Sequence, residues 1–394
     1  MKNAALCLAI FAVLAAPLGS QATLTADDPP APATKPEPAP PAPAVPSAST
    51  PTTPAPADVR ADVRPDGSRS AENAALADEI TPDLEAAIAK GLKSLAAEQG
   101  EDGGFGAGRW GKNIAVSALA CIALMADGNL PGRGQYGHNV ERGLEFVLKS
   151  ANETGLLAAE TTNGPMYGHG FATLFLGEVY GMTKGGGETA LSSRVHETLV
   201  KACTLIERSQ NNEGGWRYNP VPYDADISVT ICQIMALRSA RNAGIEVPKE
   251  VIDRAVEYVR KCQNADGGFR YQASAGFSAW PRSAAGVASL YYAGIYQDDA
   301  IDRGISYLLS NALPGQTPGP GAHFYYGHYY AVQAMYLAGG DNWAKWWPAI
   351  RSDLIRTQQN DGAWQDPSVG PVYGTSMALI ILQMPKRFLP IFQK

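Results

Sequence analysis

From about residue 81 onward, two kinds of apolar pattern alternate along the chain. The first is a stripe, as in Ile252, Ala255, Val256 and Val259 set against Asp253, Arg254, Glu257 and Arg260. Spacing of three and four residues marks a surface helix with one buried face. The second is apolar nearly all round: Ile114 to Met125, Phe171 to Leu176, Ile227 to Leu237 and Met377 to Leu382. Helices of that kind must be covered on most sides. An outer layer of amphipathic helices around an inner layer of apolar ones follows.

The two patterns recur in a fixed frame. One unit reads Arg254-Ala255, then Tyr258-Val259, Gln263 and Gly267-Gly268-Phe269, and the frame begins again at Lys90, Arg142, Lys201, Arg303 and Ala349. That makes six units of roughly 50 residues, each long enough for two helices and two loops. An open stack of helix pairs would need a polar terminal cap. The last inner segment, Thr375 to Gln383, is as apolar as the others, so the pattern predicts that the ring closes on its first unit. The expected fold is all-α, an (α/α)6 toroid of six helix-hairpin repeats over residues 81–394.

Each part of the motif has a structural purpose. Gln210 or Gln263 ends an outer helix, where its amide can reach orphan carbonyls. The glycines that follow permit the left-handed backbone that stops a helix. The aromatic residue (Phe105, Trp216, Phe269 or Trp364) can wedge between units. This frame resembles the QW repeat of squalene-hopene cyclases, shared in looser form by protein prenyltransferase β subunits. Unit four matches the whole pattern; units one, three and six keep the glutamine, the glycine and the aromatic. The resemblance implies the toroid fold, and the motif that carries it is structural.

Units two and five depart together. Ala151 and Ala312 replace the glutamine, and both units open the inner helix with Tyr-Gly-His: Tyr167-Gly168-His169 and Tyr326-Gly327-His328. We read a duplicated three-unit half. Units two and five then lie opposite one another, and His169 and His328 are expected to face each other across the barrel.

Inner helices that all run one way gather their N-termini at one mouth, where free N–H groups favour anions. The residues expected there are Lys112, Tyr167, His169, Asp224, Asp226, Trp280, Arg282, Tyr326, His328 and Tyr373. An apolar cavity with a few convergent polar groups is the default ligand site, so these form the candidate binding set.

The resemblance implies two chemistries to look for. Cyclases protonate an alkene or epoxide from a D-x-D-D motif. Here the matching run is Asp224-Ala225-Asp226-Ile227, in which Ile227 replaces the partner acid and Asp226 suits a helix N-cap before Ser228 and Val229. Prenyltransferases hold zinc with Asp and Cys on one inner helix and His on a later one. Phe324-Tyr325-Tyr326-Gly327-His328-Tyr329 resembles the histidine part, but Arg282-Ser283 stands where D-x-C would precede it, and one histidine alone is a poor zinc site. No metal and no cofactor are expected. The thioester toroids' G-C-G-E-Q is absent, and Asp224 with Asp226 is the one close carboxylate pair that a glycosidase reading could use.

The flanks and the composition set the context. Residues 1–22 read as a signal peptide, with Lys2, an apolar run from Ala4 to Leu18 and a small-residue end at Ser20-Gln21-Ala22. That run is too short to span a membrane. Residues 23–80 form a Pro/Ala-rich linker, with twelve prolines between Pro29 and Pro56, expected to be an extended spacer. Export to the periplasm or cell envelope follows. Cys121, Cys203, Cys232 and Cys262 sit in helical patterns without metal-ligand spacing and are expected as buried thiols, with one disulfide as the alternative. A net charge of −6 and no basic stripe argue against nucleic acid. Three functions remain, in this order: a module binding an apolar or isoprenoid-like ligand without catalysis; a divergent cyclase or transferase using Asp226, His169 and His328; a structural toroid docking an envelope protein.

Overall fold

The computed structural model describes residues 79–159, 164–183, 189–315 and 323–393. The expected signal peptide and nearly all of the linker lie outside them. Within them the fold is all-helical. Six helices form an outer layer: α1 (Pro82–Ala97), α3 (Gly137–Lys149), α5 (Ala190–Ser209), α7 (Lys249–Lys261), α9 (Asp299–Asn311) and α11 (Gly340–Thr357). Six alternate with them as an inner layer: α2 (Ile114–Ala126), α4 (Met166–Thr183), α6 (Ile227–Asn242), α8 (Trp280–Tyr292), α10 (Phe324–Ala338) and α12 (Pro371–Leu382). Each inner helix packs on the next, and α12 returns to pack on α2 and α1, so the ring closes. Thr81 caps α1, with Pro82 at its first position. Among the described residues no helix is long and apolar enough to cross a membrane.

The repeat motif is the joint between units. Gln99, Gln210, Gln263 and Gln358 each donate twice from Nε2: once to the glycine carbonyl of the same loop, once to a carbonyl in the first turns of the following outer helix. Those second acceptors are Asn139, Val251, Ala300 and Ala87, at 2.7–2.9 Å. The glutamine is thus a cross-unit clamp rather than a cap on its own helix. The last clamp, Gln358 to Ala87, fastens unit six to unit one. Gly214 shows why glycine is required beside it: its φ is +97°, and a Cβ there would strike the Arg254 carbonyl of the next unit.

After α12 the chain crosses the end of the barrel where the inner helices finish. Gln383 Nε2 donates to the Ala123 carbonyl at 3.0 Å, and Lys386 pairs with Asp127 at 2.7 Å and Glu85 at 3.1 Å. Leu389, Ile391 and Phe392 are buried, packed on α4 and α6. This C-terminal plug closes one end of the barrel. Glu79, at the start of the described chain, is at the same end: it accepts from Trp343 Nε1 at 2.6 Å and pairs with Arg387 at 3.9 Å.

Candidate functional site

The open end is built from the first turns of the six inner helices, and a common register governs them. One buried residue per unit occupies an equivalent place: Ser117, His169, Thr230, Ser283, His328 and Thr375. In four units its hydroxyl accepts the backbone N–H of the motif aromatic, as Thr230 does from Trp216 at 3.1 Å and Thr375 from Trp364 at 3.0 Å. His169 does the same in unit two. Its Nδ1 accepts from Leu157 N at 3.1 Å, which leaves the proton on Nε2 to be donated to the Ala202 carbonyl of α5 at 3.2 Å. Burial pushes its pKa down to about 4 and that of His328 to about 3. His328 is packed against Trp280, Phe324 and Trp346 of α11. Both imidazoles therefore lie between the inner and outer layers. The expectation that they face each other across the mouth is corrected on geometry: they face outward.

The lumen side of the same turns is two residues earlier: Ala115, Tyr167, Ser228, Pro281, Tyr326 and Tyr373, all half-buried. This rim is the mouth. Tyr326 Oη reaches across it to the Ser228 carbonyl at 3.4 Å. Two residues past the histidine register stand Leu119, Phe171, Cys232, Ala285, Tyr330 and Met377, and all are buried. Side chains meet here from non-adjacent helices. Cys232 Sγ and Tyr330 Oη are 3.4 Å apart, and the rings of Phe171 and Tyr329, from opposite units two and five, are 6.2 Å apart. The barrel is therefore filled below its rim. Its mouth is a shallow, tyrosine-edged pit with an apolar floor, in place of the apolar cavity expected.

Asp226 sits beside the pit, wholly buried. Its Oδ1 accepts from Ser228 N and Val229 N at 2.8 and 2.9 Å, so it is the N-cap of α6. Its Oδ2 accepts from Tyr271 Oη at 3.1 Å and lies 3.7 Å from Arg217 Nε. Burial raises its pKa to about 6, against the lowering effect of these donors. Arg217 also binds Asp224 and lies over the rings of Tyr218 and Tyr271, whose hydroxyls touch. Among the candidate residues, Tyr167, Tyr326 and Tyr373 come together at the pit with Asp226 behind them. Asp224 lies outside it, and Arg282 is tied to the Phe269 and Phe277 carbonyls. Lys112 pairs with Asp102 on the surface at 3.2 Å. Arg217, Tyr218 and Tyr271 escaped the sequence reading. Their signal was present: an Arg-Tyr pair follows the motif aromatic in both Trp216-Arg217-Tyr218 and Phe269-Arg270-Tyr271. The four cysteines are separate buried thiols.

At the plugged end a second carboxyl is buried. Glu178 of α4 accepts from Ser239 Oγ at 2.6 Å and from Ile391 N of the plug at 3.2 Å. Burial raises its pKa to about 7. A carboxyl whose folded pKa lies above its ordinary value adds stability that is full below that ordinary value and lost as pH rises through the folded one. Glu178 and Asp226 both act in this direction. The two histidines, depressed from the ordinary 6.5, act oppositely: their contribution is present above 6.5 and lost on acidification. The pairs offset one another between pH 7 and 5. Glu178→Gln removes one stabilising member, so its deficit relative to wild type should grow by about 1 kcal/mol per pH unit on going from pH 7 to 5. Urea unfolding at pH 7, 6 and 5 reads this directly, and parallel pH profiles for the two proteins would refute it.

Comparison with known proteins agrees on the architecture. No family model matches the chain. A terpene cyclase–glycosyl transferase fusion protein from Humicola fuscoatra is 26% identical over 206 residues, covering 44% of this chain. The match spans only 15% of that relative's length. Among solved structures, the α-1,6-mannanase of Salegentibacter sp. HEL1_6 has a TM-score of 0.57 at 10% identity, covering 76% of this chain and 98% of its own. A type II terpene cyclase from Scytonema, solved with merosterolic acid A, has a TM-score of 0.54 at 13% identity, covering 78% and 98%. The chain is a terpenoid cyclase-like α/α toroid in fold.

Proposed function

We propose that this toroid is an exported binding module that captures the apolar end of an isoprenoid-like amphiphile at its open mouth, without transforming it. The contact of Phe171 with Tyr329 across the barrel axis supports this reading most directly. It limits entry to one layer of side chains, room for the tip of a chain but not for a folded polyene. The phenols of Tyr167, Tyr326 and Tyr373 suit a polar group at the rim, since a phenol both donates and accepts. A general acid must touch the group it protonates. Asp226 has no exposed surface, and both its oxygens are already bonded, which argues against the divergent-cyclase alternative.

The test is equilibrium binding of farnesol, with recovery and mass analysis of the bound molecule. Ala115→Trp plugs the pit from its one methyl-sized wall. It should weaken capture by at least about tenfold and leave the melting temperature within a few degrees, because Ala115 is only half-buried. Undiminished capture in that variant would remove the pit from the site. Recovery of a chemically changed molecule would restore the enzyme reading.

A further inference from the structure

A second hollow lies outside the barrel, where the loops after the motif aromatics of units three and four meet. Its volume is 380 Å³, and its lining includes Asn212, Glu213, Tyr223, Asp224, Gln272 and Ser274. We propose that this cleft is a binding site for a neutral glycan chain. The inference goes beyond the mouth reading and does not depend on it.

Three observations converge on a sugar. The first is an unexplained exposed aromatic. Tyr223 is 87% exposed, the most exposed large hydrophobic residue among those described, and Phe277 follows at 79%. A large apolar ring left in water has lost the stabilisation that burial would give it. Phe277 is met by the Arg282 guanidinium and is not part of the lining, so Tyr223 is the ring that marks the cleft as a contact surface. The second is the lining. Amide, hydroxyl and carboxylate groups alternate along the cleft and supply both donors and acceptors, as adjacent hydroxyls on a pyranose require. A pyranose also has an apolar C–H face that can lie flat on a phenol ring, so one ligand class uses both the ring and the polar groups. The third is how firmly the cleft is held. Gln272 Nε2 is fixed on the Ala225 carbonyl at 3.2 Å, which leaves its Oε1 free to accept. Asn211 braces the opposite wall by accepting from Glu213 N at 3.1 Å and Gly215 N at 3.0 Å. A pre-set wall lowers the ordering cost of binding.

The charge selects among glycans. Arg217 neutralises Asp224 from behind, while Glu213 stands exposed on the loop without an ion pair among the described residues. The cleft therefore carries a net negative charge, which disfavours uronic-acid chains. Apart from Tyr223, the apolar part of the lining is Pro222, Ala225 and Ala273, small side chains that do not form the large aromatic or aliphatic pocket a protein side-chain anchor uses.

The experiment is isothermal titration of the folded protein with gluco-, manno- and galacto-configured oligosaccharides of two to six units, and with an oligogalacturonate of equal length. Saturable binding of at least one neutral series, stronger than the uronate, is expected. Tyr223→Ala and Gln272→Ala should each weaken it by roughly tenfold. Circular dichroism should not change in either variant. The melting temperature should hold in Tyr223→Ala, because Tyr223 is almost wholly in solvent, and fall by a few degrees at most in Gln272→Ala, which loses one half-buried hydrogen bond. Binding of the uronate alone, no saturable binding of any neutral series, or wild-type affinity in the Tyr223→Ala, Gln272→Ala double variant would each overturn the assignment. The farnesol measurement reads the pit, so loss of the glycan signal leaves that result standing.

Discussion

Trp216→Ala is expected to destabilise the protein by about 3–5 kcal/mol, the range for removing a fully buried aromatic from a core that cannot collapse around the hole. Trp216 is 1% exposed. Its indole N–H donates to the Ile206 carbonyl at 2.7 Å near the end of α5, and its backbone N–H is held by Thr230 at the head of α6. One residue thus fastens the outer helix, the loop and the inner helix of unit three. Removing the ring opens a cavity and takes one of the two side-chain donors from the Ile206 carbonyl, which keeps Ser209 Oγ at 3.1 Å. Trp364 is bonded the same way, to Leu354 and Thr375, at the closing joint, and Trp364→Ala should behave alike. Both belong to the frame rather than to either proposed site. Urea unfolding should show the loss, while farnesol affinity per folded molecule stays at the wild-type value. A variant with unchanged stability but lost capture would turn Trp216 into a site residue.

The frame was legible because it is repetitive. Gln-Gly-aromatic recurs in phase, and the amphipathic and all-apolar segments alternate strictly, so six helix pairs could be counted from the sequence. Closure was legible too, from the apolar last helix that has to find a partner. The glutamine's reach was only half legible. Its position at a helix end suggested a local cap, but its second acceptor belongs to the next unit, and no local pattern specifies that.

The site was less legible, for a reason set by helical geometry. Tyr167 and His169 are adjacent in one motif and were placed together at the mouth. Two residues turn an α-helix by about 200°, so the tyrosine faces the lumen and the histidine faces the outer layer. Ser117, Thr230, Ser283 and Thr375 stand at the same point of the other four units. Reading that column across the repeats would have placed both histidines between the layers, His169 as a hydrogen-bonded joint and His328 as a ring packed among aromatics. The filling of the lumen was hidden differently. Phe171, Tyr329 and Tyr330 read as ordinary core residues from sequence, and whether they leave a cavity depends on how side chains from opposite helices meet.

The plug was not legible at all, because it lies beyond the last repeat and matches nothing in the frame, yet it carries the largest expected effect. A chain ending at Gln383 loses Met384, Leu389, Ile391 and Phe392, each at most 3% exposed. At about 1.5–3 kcal/mol per buried apolar side chain, the four together are worth about 6–12 kcal/mol, comparable to the whole stability of an ordinary domain. The loss does not stop at area. The ends of α4 and α6 would meet water with their apolar faces, and Glu178 would lose the Ile391 N–H that holds one of its oxygens. Lys386 would no longer tie the end of α2 to α1 through Asp127 and Glu85. The shortened chain should therefore melt far below the full chain, bind a hydrophobic dye strongly, and lose its sharp cooperative transition. Phe392→Ala separates packing from gross truncation: it should cost about 3–5 kcal/mol while keeping the cooperative transition. A shortened chain that melts like the full one without binding dye would mean that the plug merely lies against a barrel already closed by its own helices.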